Sequence, residues 1–131
     1  MGYVYLLCIF LLSLLVLQVG RWSVTLRRSE WSEAKLLDSF SVGELNACKE
    51  ALKRLSQMYA IRIGYLRPTD EFHKQGFLWK WDSWHLWGGQ ERLEEFLRQH
   101  GIEVIPDAWT VLDYVVWFGQ MYKDAGVPNS R

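Results

Sequence analysis

Residues 3–19 read YVYLLCIFLLSLLVLQV, and no charged side chain occurs before Arg21. A helix of about 18 residues rises about 27 Å, close to the hydrocarbon thickness of a bilayer. The run therefore predicts a transmembrane helix over residues 1–20, with membrane lipid as its partner. A cleaved signal peptide fits less well, because no Lys or Arg precedes the run and no small-residue cleavage site follows it. Cys8 lies inside the run, so no complete apolar segment stands before it, as a lipoprotein would require. Arg21, Arg27 and Arg28 follow the span, and no basic side chain precedes it. Basic flanks are retained on the cytoplasmic side. The expectation is a single-pass membrane protein with its soluble part facing the cytoplasm.

All thirty charged residues lie after residue 20, within a chain of 131 residues. That leaves room for one small domain. Fifteen basic residues balance fifteen acidic ones, which argues against nucleic-acid binding. A hydrophobic fraction of 50% excludes a disordered chain. The two cysteines, Cys8 and Cys48, are too few for a disulfide framework or a cysteine zinc site. One cysteine in the soluble part suits a reducing compartment.

Residues 21–40 read as a juxtamembrane connector. Trp22 to Leu26 alternates apolar and polar residues, as a short strand or an interfacial segment would. A short helix is expected within 29–40. Ser41-Val42-Gly43-Glu44 has the form of a capping box. From there Leu45, Cys48, Leu52, Leu55 and Met58 or Tyr59 recur at helical spacing, with Cys48 in the core. Gly64 and Pro68 mark a loop after Tyr59. A second helix is expected from Gly89 or Gln90, with Leu93, Phe96 and Leu97 as its stripe and Gly101 as its stop. Thr110 and Asp113 should cap a third helix that buries Val111, Tyr114, Val115 and Phe118. Residues 126–131 read as a flexible tail.

From Leu45 to Phe118 the chain resembles the acyl carrier protein family. Leu66 to Phe72 is similar to the family's long loop. ERLEEFLRQHGIEVIPD, residues 91–107, resembles its acidic second helix and exit. TVLDYVVWF, residues 110–118, resembles its closing helix. The resemblance implies a mainly α fold: an N-terminal transmembrane helix followed by an acyl-carrier-like helical bundle over residues 41–125. The family carries phosphopantetheine on a serine that opens helix two, and the resemblance offers Asp82-Ser83-Trp84 for that role. Ser83, however, stands eighteen residues before Gly101, about one helical turn too far upstream. The family's interval reaches Leu86, and Gly88-Gly89 interrupts a helix from Ser83. The expectation is therefore no cofactor, with phosphopantetheine on Ser83 as the alternative.

No metal or enzyme motif accompanies these features. His73, His85 and His100 form no H-x-x-x-H pair, and neither a nucleophile elbow nor a phosphate loop is present. Residues 82–113 hold seven acids against two bases, whereas residues 21–80 hold eleven bases against seven acids. Such a dipole suits a basic side near anionic lipid and an acidic side toward a cytoplasmic protein partner. Glu91, Glu94, Glu95 and Asp107 are its candidate partner-binding residues. Trp79, Trp81, Trp84 and Trp87 either cover the core or reach the membrane interface, and core packing is favoured. The function expected is non-catalytic: a carrier-like domain in protein binding. A working acyl carrier and an accessory subunit of a membrane complex are the alternatives.

Overall fold

The computed structural model describes residues 2–25, 28–40, 45–73, 76–82 and 87–124, with residues 20 and 22–25 described as backbone. The Ser41–Glu44 capping box, Ser83, His85 and the tail at 126–131 lie outside the described residues. The chain is mainly helical: α1 (Gly2–Thr25), α2 (Glu33–Phe40), α3 (Leu45–Tyr59), α4 (Phe77–Trp81), α5 (Gly89–Arg98) and α6 (Val111–Asp124), with a 3-10 turn at Ile63–Tyr65. Among the described residues, strand pairing is limited to one bridge, Glu71 to Thr110.

Helix α1 contains a stretch, Gly2–Val19, that is long and apolar enough to cross a membrane, and none of it is buried by the rest of the chain. Leu, Ile, Phe and Val face outward all round it, as on a helix whose solvent is hydrocarbon. The helix does not stop where the apolar run stops. Its backbone continues through Thr25, so residues 22–25 are helix and not the short strand; Leu26 lies outside the described residues.

The other helices enclose one core. Helix α3 is its centre and packs against α6 and α5. Its buried face is Ala47, Cys48, Ala51, Leu52, Leu55 and Tyr59. Leu45 heads the helix and is exposed; the packed face begins two residues on, at Ala47. The Tyr114 hydroxyl of α6 donates to the Ala51 carbonyl of α3 at 3.1 Å, tying the two helices deep in the core. Residues 21–40 are more than a connector: Leu36 and Phe40 of α2 belong to the core cluster.

The ends of α6 and α5 show how the loops are fixed. The Val111 amide donates to Asp70 O at 2.8 Å and the Leu112 amide to Pro68 O at 3.0 Å. The Asp113 amide donates to Thr110 Oγ1 at 3.3 Å, and the Thr110 amide donates back to Asp113 Oδ2 at 2.9 Å. The expected box is thus in place, and the 66–72 loop serves the remaining free amides. At the end of α5, Gly101 has φ 90°. Its amide reaches Arg98 O at 3.1 Å, and the Ile102 amide reaches Leu97 O at 2.9 Å. This is a Schellman stop, with glycine where the backbone turns left-handed.

Candidate functional site

The last turns of α1 and the segment that follows carry arginines, and two of them, Arg21 and Arg28, grip α4. Arg21 is only 8% exposed. Its Nη2 donates to Tyr59 O at 2.7 Å and its Nε to Trp81 O at 3.1 Å. Its guanidinium carbon lies 4.4 Å from the Trp81 ring centre and 4.6 Å from that of Trp87. A planar, weakly hydrated cation can donate at its edge and stack on its faces, which a lysine cannot do. Trp81 Nε1 donates to the same Tyr59 carbonyl at 2.7 Å. At the other end of α4, the Arg28 guanidinium lies 3.7 Å from the Phe77 ring centre.

Arg28 also reaches Asp70 Oδ2 at 2.7 Å and Tyr65 O at 2.8 Å. Asp70 takes the Arg67 amide at 2.9 Å as well. Burial raises its pKa above the ordinary 3.8, against the opposing pull of Arg28 and Arg67. Arg67 in turn donates to the Ser29 carbonyl and lies over the Trp31 ring. The end of α1 and the chain that follows it are therefore fastened to the domain at Arg21, at Arg28 and under Arg67.

Asp82 is buried at the junction of α4 and α5. Its two oxygens accept the amides of Gly89, at 2.9 Å, and Gln90, at 3.1 Å. A carboxylate at a helix N-terminus satisfies free donors and complements the helix dipole. Gly89 must be glycine here, since a Cβ would meet the Tyr59 ring at 2.7 Å and Asp82 Oδ1 at 2.9 Å. Asp82 thus serves as a distant cap for α5. No local spacing announces it, because its helix begins seven residues further on.

The acidic candidates divide. Glu91 and Glu95 are exposed on α5 and Glu94 is half-buried beside them. Glu95 pairs with Arg98 at 2.6 Å, and Glu94 accepts from Gln90 Nε2 at 3.1 Å. Asp107 is exposed in the turn before α6. The helix acids share one outer face, on the side away from Leu93 and Leu97, while Asp107 belongs to a separate segment.

The remaining candidates are structural in their contacts. His73 Nε2 lies 3.1 Å from Pro106 O and 3.2 Å from Ile105 O, so that nitrogen carries the proton and donates. His100 Nδ1 lies 2.9 Å from Phe96 O within α5's last turn. No group of three metal-ligating side chains occurs among the described residues. Cys48 is buried, and burial pushes its thiol up to about 11. Compared with protein-family models, with curated proteins and with solved structures, the chain matches none of them.

Proposed function

We propose that this chain is a single-pass membrane protein whose small helical domain is a non-catalytic, carrier-like binding module on the cytoplasmic face. The observation that carries the proposal is the continuity at Arg21. An exposed apolar helix runs without a break into the domain, and its first charged side chain is buried there between two tryptophans. A helix fastened in this way sets the orientation of the domain as well as its location. The arginine flank keeps the domain on the cytoplasmic side.

The use of the buried ionisable groups supports a module rather than a catalyst. Arg21 holds backbone carbonyls, Asp70 holds Arg28 and a loop amide, and Asp82 holds the start of α5. In an acyl carrier the modified serine stands at the start of the second helix. The corresponding start here is Gly88-Gly89, with its first amides taken by Asp82. That favours a module without phosphopantetheine. Its partner surface is the outer face of α5, with Asp107 as a second acidic point.

The test is charge reversal at Glu94 and Asp107 in the full chain, followed by pull-down from the native membrane. Asp107 is exposed and Glu94 partly so, and surface charges contribute about 0–1 kcal/mol to stability but steer association. Glu94→Lys with Asp107→Lys should therefore leave the melting profile nearly unchanged and reduce recovery of the partner. Unaltered recovery would remove the acidic face from the proposal.

A further inference from the structure

We infer that α4 and Trp87 form a second membrane contact, seated in the headgroup layer of the same bilayer that α1 crosses. The inference rests on the reading of α1 as a membrane span. The apolar stretch ends at Val19, and Arg21 follows two residues later, a rise of about 3 Å. The headgroup region adds about 5–7 Å on each side of the hydrocarbon. Side chains on a helix lean toward its N-terminus, which for α1 is the direction of the membrane. The Arg21 guanidinium therefore sits at headgroup depth. The rings of Trp81 and Trp87 lie 4.4 Å and 4.6 Å from it and are placed at the same depth. Helix α4 packs directly on α1, so this geometry does not depend on a tether.

The chemistry of the patch suits that layer. Trp79, Trp81 and Trp87 are each half-buried, and Lys80 is exposed between them. Indole rings favour the boundary where an apolar body meets polar headgroups. An exposed lysine beside them can meet lipid phosphate, and its stem can cover apolar surface. Each ring keeps part of its surface open to the outside of the domain. Against the bilayer they extend the contact that α1 begins. Lys53 and Arg54 on α3 are exposed, and Arg54 pairs with Glu50 at 3.1 Å; Lys53 stands six residues before Tyr59, whose carbonyl Arg21 holds, about 9 Å along α3.

The experiment is depth measurement by spin label in vesicles of phosphatidylcholine and phosphatidylglycerol. Full-length protein with Cys8→Ala receives a single label at Lys80→Cys, Lys53→Cys or Leu12→Cys. Cys48 is buried with a raised pKa and stays unlabelled. Collision with a water-soluble nickel complex is compared with collision with oxygen. The expected result is a Lys80 label several-fold less accessible to nickel than the Lys53 label, with the Leu12 label deepest. A Lys80 label as nickel-accessible as the Lys53 label, with Leu12 still deep, overturns the second contact and leaves the anchor standing. A Leu12 label open to nickel overturns the anchor itself. Because Lys80 is exposed, its label does not disturb the core, and helical circular dichroism verifies each variant.

Discussion

Arg21 has two roles that sequence alone merges into one. As a positive flank it biases topology; as a buried fork it joins α1 to Tyr59 and Trp81. Arg21→Lys separates them, because lysine keeps the charge but loses the planar stack. Orientation in the membrane should be unchanged. Unfolding of the helical domain in detergent should be easier by about 1.5–3 kcal/mol, the usual loss when a hydrogen bond to a charged group is removed. Asp70 offers a pH test. Desolvation raises its pKa in the folded chain above the ordinary 3.8, with Arg28 and Arg67 pulling the other way. A carboxyl raised on folding contributes stability below its unfolded value, and that contribution is lost as pH rises through the folded value. Wild type should therefore lose stability relative to Asp70→Asn as pH rises from below 4 toward neutral. Denaturant midpoints across that range give the difference, and one that does not change with pH would mean that Asp70 has its ordinary pKa.

The elements most legible in the sequence were those with a local signal at one end or more. Helix α6 has its Thr110–Asp113 box and its four-residue stripe, and α5 has Gly101 at its stop. Helix α3 could be read from its apolar spacing, although Leu45 turned out exposed and Ala47 and Ala51 buried. The segment holding α4 could not be read in this way. Its five residues are too few to show a period; Arg21 and Arg28 hold it from elsewhere in the chain, and Asp82, which follows it, caps α5. Gly89, one of the two expected starts of the second helix, does open α5, and close packing there demands a missing side chain. Gly89→Ala places a Cβ 2.7 Å from the Tyr59 ring. It should cost about 1–3 kcal/mol, as overpacking of a core usually does, whereas Gly119→Ala, with nothing within 4 Å of the added carbon, should not destabilise. Chemical denaturation of the two variants side by side measures the contrast.

At the scale of the molecule, the charge dipole in the sequence takes on a physical layout. Several basic residues that follow the span are used to fasten it to the domain: Arg21 at α4's end, Arg28 on Asp70 and Phe77, Arg67 over Trp31. The acidic residues of α5 remain on an outer face. Composition showed the imbalance, but only the fold could show that three of the eleven bases in residues 21–80, Arg21, Arg28 and Arg67, are engaged internally. The account rests on α1 lying in a membrane with the domain on the cytoplasmic side. The most direct measurement is labelling of Lys53→Cys, in the Cys8→Ala chain, with a membrane-impermeant maleimide before and after permeabilising intact cells. The account predicts no label in intact cells and full label once they are opened. Label taken up by intact cells would place the domain on the opposite side and contradict it.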